Sequence, residues 1–175
     1  DLPCRVAESL FWMGRYGERL DIRGRLLREA LARLLQDDRQ ESGSQLMPDL
    51  LRALDIAVDP EAFADESLPA NSRFPREYIV TRDRLLQLFA DDLPDGLPAI
   101  FAHFVRNSRA VRDHLGDDTW RAINSLRQHF NSMSRTRGVV VGQRHLEAMV
   151  LDLAAFFGLC NETMPHHYGW RFLDI

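Results

Sequence analysis

The side chains with the most chemical potential lie close together near the start of the chain. Glu8, Trp12, Arg15 and Arg19 follow one another at spacings of four, three and four residues, and Glu18 lies three residues after Arg15. In an α-helix these spacings place all five on one face. Guanidinium groups beside an indole ring are suited to holding a carboxylate, a phosphate or a peptide.

Two interpretations of this stripe stay open at the level of sequence. In the first, Trp12, Arg15, Glu18 and Arg19 bind an anionic or peptide-like ligand. In the second, the charged residues form an ion-pair network that fixes how helices pack, because charge pairs three and four residues apart are common on helices. If the stripe belongs to an enzyme, Glu18 is the candidate catalytic acid or base.

A second polar group lies in a later helix. Arg109 is one helical turn from both Arg112 and Asp113, and Asn107 precedes them. This group is either a solvated helix face with internal salt bridges or a second wall of the same arginine-rich pocket. The pocket interpretation requires the first stripe and Arg109 to converge on a cavity that solvent can reach.

Signals for metal and nucleotide chemistry are weak. Cys160, Glu162, His166 and His167 are residue types that bind zinc, but adjacent histidines do not readily chelate one ion from a single helix face. The chain lacks HExxH, CxxC, GxSxG and glycine-rich phosphate loops, and no Glu precedes a His by three residues. We therefore expect no metal and no cofactor, and we favour a protein that is not an enzyme.

The composition excludes several further classes. All 22 basic residues are arginine, so these residues offer no lysine for a Schiff base, a general base or a P-loop. The net charge of -4 gives no positive field for nucleic acid. Apolar runs are shorter than the roughly 18 residues of a membrane span. Cys4 and Cys160 do not form a disulfide framework, so we expect a cytoplasmic protein without nucleic-acid or membrane partners.

The elements that must position these side chains are helices. Apolar residues recur with a period near 3.6 over residues 5–36, which predicts a long first helix. Gly14, Gly17 and Gly24 on that helix are expected where another helix approaches closely. Further helices are predicted over residues 48–58, 77–90, 97–115, 117 or 118 to about 131, 142–158, and from about 167. Gly116 is expected to stop the fourth of these seven helices, and Asp117 or Asp118 to cap the fifth. Residues 139–141 are interpreted as the lead-in to the sixth.

The predicted fold is therefore all-α. We expect a single domain over residues 1–175, built as a helical bundle of about five to seven helices with a long first helix. Residues 59–76 contain three prolines and are predicted to form an irregular loop.

The run RVAESLFWMGRYGER at residues 5–19 resembles the alpha-E family, a bacterial family named for a predicted α-helical domain with a Glu-Arg motif. The motif corresponds here to Glu18-Arg19. Residues 107–113, 120–124 and 158–173 also resemble the family in order and spacing, whereas residues 37–90 carry little of the likeness.

The resemblance implies a helical protein without a firmly assigned activity. Family members are typically encoded near circularly permuted ATP-grasp proteins and transglutaminase-like proteins, which implies a peptide-forming or peptide-modifying system. The family pattern continues into a further helix with a second Glu-Arg pair, so the chain is expected to be an N-terminal portion. Its exposed apolar surface would then favour association with a partner or with itself as a homo-oligomer.

Three functions follow. The leading hypothesis is an accessory module that binds an ATP-grasp-type ligase, a transglutaminase-like protein or a peptide substrate through the arginine-rich face. The alternative is an enzyme in which Glu18 is the acid or base and Arg15, Arg19 and Arg109 hold a carboxylate or phosphate. The third is a purely structural bundle that oligomerises.

Overall fold

The computed structural model describes residues 3–37, 46–56, 74–90, 93–133, 135 and 138–163, and these ranges contain helices and turns. The helices are α1 (Cys4–Asp37), α2 (Leu46–Ala53), α3 (Arg76–Gln87), α4 (Leu97–Ala110), α5 (Asp117–Met133) and α6 (Val139–Thr163), with a one-turn 3₁₀ helix (Arg112–His114) between α4 and α5. This confirms the predicted all-α bundle with its long first helix.

Helix α1 is the element around which the others pack. It contacts α4 and α6 most extensively and also touches α2 and α3, while α5 packs mainly on α6. At 1.5 Å per residue its 34 residues extend about 51 Å. Its fully buried side chains recur at helical spacing: Leu10, Met13, Leu20, Leu27 and Leu31. Because that pattern is uninterrupted, the predicted bounds of residues 5–36 differ from the observed ones by one residue at each end.

Aromatic contacts join the remaining helices into the same core. The ring of Phe104 on α4 meets Phe156 on α6 edge to face, with ring centroids 5.1 Å apart. Phe101 stacks on Phe130 of α5 at 4.0 Å. These rings are all buried, so α4, α5 and α6 share one hydrophobic cluster with α1.

Two glycines of α1 lie where other helices cross closely, as expected from the sequence. A β-carbon on Gly17 would lie 2.8 Å from Cζ of Phe157 and 3.3 Å from Cε2 of Phe104. One on Gly24 would collide with Cε of Met149. The absence of side chains at these positions lets α4 and α6 approach the backbone of α1.

The fourth helix is shorter than its predicted range of residues 97–115. Helix α4 ends at Ala110, and the backbone leaves helical geometry at Val111, with φ -115° and ψ 19°. The side chains of Val111 and Leu115 are both buried. The chain must reverse here within a few residues to bring α5 back along the bundle, which a continued α4 would prevent.

The prediction that Gly116 stops the fourth helix is wrong. Its carbonyl accepts the first hydrogen bond of the next helix, from the N–H of Trp120. None of the described glycines has the positive φ of a helix C-terminal glycine. Asp117 and Asp118 lie in the first turn of α5, where acidic side chains favour the helix dipole.

Two other helices end earlier than predicted. Helix α2 covers Leu46–Ala53 instead of residues 48–58 and is closed by Asp55, whose φ of 57° is left-handed. The N–H of Ile56 donates to the carbonyl of Leu51, which completes a Schellman motif. Helix α3 ends at Gln87 instead of residue 90, because the next two residues turn to bury their side chains, Leu88 and Phe89.

Helix α6 is longer than its predicted range of residues 142–158. It begins at Val139, whose side chain is buried, and ends at Thr163 because the buried stripe continues to Cys160. The expected helix from about residue 167 and residues 59–73 of the expected loop lie outside the described residues. Within the described ranges, no helix combines the length with the apolarity that crossing a membrane demands.

Candidate functional site

The stripe identified near the start of the chain lies on the exposed side of α1. We call the surface formed by Glu8, Trp12, Arg15, Glu18 and Arg19 the α1 face; each of these residues is exposed. The opposite side of the same turns carries the buried core residues of α1. The structure therefore brings the five residues together on one accessible surface.

Glu18 forms an ion pair within its own helix. Nη1 of Arg15 lies 2.6 Å from Oε2 of Glu18, and the two side chains are 46% and 52% exposed. Because both residues belong to α1, the pair does not tie that helix to another one. An exposed pair of this kind contributes little to stability.

Arg19 points to a different acid. Its Nη2 lies 3.7 Å from Oδ1 of Asp95, which belongs to the turn before α4. Both side chains are exposed, and the separation is too long for a direct hydrogen bond. The consecutive residues Glu18 and Arg19 thus make separate contacts and both remain accessible to solvent.

Arg23 follows Arg15 and Arg19 on α1 at the same spacing of four residues, and it was not singled out from the sequence. Unlike the other two, it is largely buried. Its side chain is only 11% exposed. It donates to the carbonyl oxygens of Leu54 and Asp95 at 3.4 Å and to Oδ2 of Asp55 at 3.1 Å. It therefore joins α1 to the end of α2 and to the turn before α4. The only sequence signal was its place four residues after Arg19.

A ladder of aromatic rings runs from the α1 face to α4. Phe11 meets Trp12 edge to face at 5.2 Å, and Trp12 lies 5.8 Å from Tyr16. Tyr16 stacks on His103 of α4 at 5.0 Å with an interplanar angle of 13°. We call Phe11, Trp12, Tyr16 and His103 the aromatic ladder. The sequence alone did not single out the pairing of Tyr16 with His103.

Arg106 continues the ladder at its α4 end. Its Nη2 lies 2.6 Å from Nδ1 of His103. A guanidinium group can only donate, so this contact makes Nδ1 of His103 the acceptor. Asn107 donates to the carbonyl oxygen of His103 at 2.8 Å and is half-buried. These contacts place Asn107 on the same side of α4 as the ladder.

Arg109 lies elsewhere on α4. It is two residues beyond Asn107, about 200° around the helix. It lines an open depression together with Phe101, Ala102, Val105 and Arg106. The lining residues of this depression come from α4 itself, so Arg109 faces a different surface from the α1 face.

Arg112 and Asp113 belong to the 3₁₀ helix. The guanidinium carbon of Arg112 lies 4.8 Å from the centroid of the Trp120 ring, and its Nη2 lies 3.3 Å from Oδ1 of Asp117. Arg112 thus packs on α5, and Asp113 is exposed beside it. The four residues predicted to form a second wall of the pocket therefore lie on different surfaces. Asn107 lies on the ladder side of α4, Arg109 lines the open depression, and Arg112 packs on α5 with Asp113 beside it.

Other ionisable groups cluster between α5 and α6. Nε2 of His129 lies 3.1 Å from Oδ2 of Asp152, and the Ser125 hydroxyl donates to the same oxygen at 2.9 Å. Burial, and secondarily the charge of His129, lowers the pKa of His145. Burial raises the pKa of Cys160 to about 12, so this thiol stays protonated at neutral pH.

The described part of the chain contains no cluster of three His, Cys, Asp or Glu side chains placed to hold a metal ion. Of the residue types that suggested zinc, Cys160 is buried and Glu162 is exposed, while His166 and His167 lie outside the described residues. The chemistry available on the α1 face is therefore that of an aromatic surface bordered by guanidinium and carboxylate groups.

Comparison with known proteins identifies a family that is described by a Glu-Arg motif, and the Glu-Arg dipeptide of this chain lies on the first helix. The model of a family described as a predicted alpha-helical domain with a conserved ER motif matches residues 2–175. The sequence contains a single Glu-Arg dipeptide, Glu18-Arg19, so the motif is assigned to the α1 face.

The chain is also similar to longer proteins that are themselves uncharacterised. It is 31% identical over 184 residues to an uncharacterized protein of Mycobacterium bovis and to one of Mycobacterium tuberculosis. The alignments cover 98% of this chain but 20% of each relative, so the chain spans about a fifth of their length. No solved structure matches the chain.

Proposed function

The chain belongs to the Alpha-E family, and from that membership and the geometry of the α1 face we propose that it is a non-catalytic binding module of a peptide-forming or peptide-modifying system. Its partner is an ATP-grasp-type ligase or the peptide substrate of that ligase. Members of the family are typically encoded near such proteins, which supports the choice of partner. The exposed aromatic and charged side chains of the α1 face support its choice as the binding surface.

The observation that carries the proposal is the exposure of Trp12. This residue is 43% exposed although it lies next to the buried core residue Met13. Contacts with Phe11 and Tyr16 fix the position of the ring. Tryptophan is enriched among the residues that dominate binding energy at protein interfaces, because one rigid ring covers a large apolar area.

The charges around Trp12 suit the rim of such an interface. Arg15, Glu18 and Arg19 are exposed, so they can exchange their present partners for carboxylates or guanidinium groups of a docked protein or peptide. Ile22, which is 49% exposed, lies ten residues after Trp12, about 15 Å along the helix. Trp12 and Ile22 therefore define two apolar contacts with charged side chains between them.

The surroundings of Glu18 favour binding over catalysis. A general acid or base must transfer a proton within a site that positions a substrate. The carboxylate of Glu18 instead lies on an open helix surface, paired with Arg15. This supports a module whose Glu-Arg motif contributes recognition.

The proposal is tested by calorimetry, which measures binding of a purified ATP-grasp-type protein from the same organism. We expect Trp12→Ala to weaken binding by about 10- to 100-fold, the range of an interface residue worth ~1.4–2.8 kcal/mol. Glu18→Gln is expected to weaken it less. Glu29→Gln is the matched control, because Glu29 forms an ion pair on the same helix, with Arg33 at 2.9 Å, away from the face.

Two results would overturn the proposal. One is no binding of the ATP-grasp-type protein or its peptide substrate at about 100 µM, beyond which the affinity is negligible for a specific module. The other is binding that Trp12→Ala leaves unchanged. If Glu18→Gln abolishes turnover by the assembled system while binding is retained, the enzymatic alternative replaces the binding module.

A further inference from the structure

Helix α6 has an unpartnered apolar face on the side away from the core. Leu151 is 70% exposed, the highest value among the exposed large hydrophobic side chains that the structure describes. Ala154, Ala155 and Gly158 are also exposed and lie within about 60° of Leu151 around the helix. A β-carbon on Gly158 would meet nothing within 4 Å. We call these four residues the α6 face.

Opposite charges lie at the two ends of this face. Arg144 and Glu162 are exposed, and both lie about 20° from Leu151 around the helix; Glu147 is also exposed, between Arg144 and Leu151 and about 40° from Leu151. Within the described ranges neither Arg144 nor Glu162 forms an ion pair. These two are 18 residues apart, about 27 Å along the helix axis. Their midpoint along the helix axis is level with Leu153, whose own side chain is buried in the core.

We propose that the α6 face binds the α6 face of a second copy of this chain, with the two helices antiparallel and a two-fold axis level with residue 153 along the helix. In this arrangement Arg144 of each copy lies opposite Glu162 of the other. Both ion pairs then form at once, as a two-fold symmetric interface requires. A parallel pair would instead place like charges opposite each other.

The sizes of the side chains fit the same register. With the two-fold axis at the level of residue 153, Leu151 of one copy lies level with Ala155 of the other. Each exposed Leu151 therefore packs over a small residue. Ala154 and Gly158 leave room for the two backbones to approach, since the residues at the contact set the distance between helix axes. The face thus complements itself in size, and at its ends Arg144 and Glu162 complement each other in charge.

A single pair of helices gives a small interface. It falls at or below the roughly 1,200 Å² lower end of standard interfaces, so we expect a dimer with a dissociation constant in the micromolar range. The α1 face takes no part in this contact. The pairing therefore stands or fails independently of the partner proposed for the α1 face.

The test is sedimentation of the full chain over a concentration series from about 1 to 300 µM, which brackets micromolar affinity. We expect a monomer–dimer equilibrium that Leu151→Asp shifts to monomer. Ala53→Asp is the control, because Ala53 is an exposed apolar side chain on α2 outside both proposed surfaces, and it should leave the equilibrium unchanged. Circular dichroism checks that each variant folds.

Charge exchange tests the antiparallel register. Arg144→Glu and Glu162→Arg should each weaken the dimer about 10-fold, and the double variant should return to within about 3-fold of wild type, because the swapped charges again face each other. In a Cys4→Ser background, Ala154→Cys should form a disulfide-linked dimer under mild oxidation. Arg121→Cys, exposed on α5, should not.

Each contrary result is decisive. A chain that stays monomeric over the whole series would overturn the proposal, as would a dimer that Leu151→Asp leaves intact. A dimer in which both single charge variants weaken association but the double variant fails to restore it would exclude the antiparallel register.

Discussion

Arg15, Arg19 and Arg23 repeat at one spacing on α1 and differ in what surrounds them. Arg15 contacts its own helix, Arg19 reaches across to Asp95, and Arg23 is enclosed by the end of α2 and the turn before α4. Sequence spacing predicts that the three share a helix face. It does not predict depth, because depth depends on where Leu54 and Asp95 come to lie, and those residues are far away along the chain.

The enclosed contacts of Arg23 predict a marked loss of stability when they are removed. Arg23→Gln leaves the carbonyl oxygens of Leu54 and Asp95 without their donor and should lower the free energy of unfolding by about 1.5–3 kcal/mol, as for hydrogen bonds to charged groups. Urea unfolding followed by circular dichroism measures the change.

Arg25→Gln is the control for that measurement. Arg25 is exposed on the same helix and contacts Asp21 one turn away, which raises the pKa of its guanidinium group through their hydrogen bond. Its loss should leave the free energy of unfolding close to that of wild type. Equal effects of the two substitutions would show that Arg23 does not hold α1 to its neighbours.

At the scale of elements, the predicted helices agree with the observed ones where an apolar stripe is continuous. Helix α1 has such a stripe from end to end, and its bounds were predicted within one residue. The prediction for the fourth helix runs to Leu115, because the apolar period continues past Ala110, where the observed helix ends. The break there follows from the need to reverse the chain, which is a tertiary constraint that periodicity does not contain.

The close crossing at Gly17 gives a prediction about helix packing. Gly17→Ala adds a methyl group against the rings of Phe157 and Phe104, and overpacking of this kind costs about 1–3 kcal/mol. The gain in helix propensity, about 1 kcal/mol, offsets only part of that cost. We therefore expect a lower melting temperature, measured on dilute protein.

Gly158→Ala makes the opposite prediction in the same experiment. Gly158 lies inside α6 with open space where a β-carbon would be placed. The substitution should therefore raise stability by up to about 1 kcal/mol through helix propensity alone. If Gly17→Ala is as stabilising as Gly158→Ala, α4 and α6 do not cross α1 as closely as described.

At the scale of the whole molecule, the bundle was predictable and the convergence of its polar groups was not. The all-α fold follows from the repeated apolar period and the absence of alternating patterns. Whether Arg109 would face Trp12 depends on the rotation of α4 against α1. That rotation is set by which α4 side chains fill the core, such as Phe104, and it directs Arg109 to the open depression instead.

The junction of α5 and α6 predicts how the stability of the whole domain depends on pH. The pKa of His145 is lowered in the folded state, so the unfolded chain binds its proton more readily. Its contribution to stability is therefore complete above the ordinary histidine pKa of about 6.5, and it is lost as pH falls from that value through the lower pKa of the folded state.

When the pH is lowered from about 7.5 to 5.5, a range that brackets the ordinary histidine pKa, the free energy of unfolding should fall. We expect a smaller fall in His145→Gln than in wild type. Denaturant titrations at a series of pH values measure the two slopes. His114→Gln, exposed on the 3₁₀ helix, is the control and should keep the wild-type slope. Identical slopes for His145→Gln and wild type would show that His145 does not contribute.

The exclusive use of arginine on this bundle has a chemical consequence. All 22 basic side chains carry guanidinium groups, and in the described ranges these groups make every ion pair except that of His129. A guanidinium group holds its proton at any physiological pH and is a very poor nucleophile towards activated carbonyl groups. These 175 residues therefore present no side-chain amine as an acyl acceptor. A module that works beside enzymes making amide bonds could hold their substrates without being joined to them through an isopeptide bond.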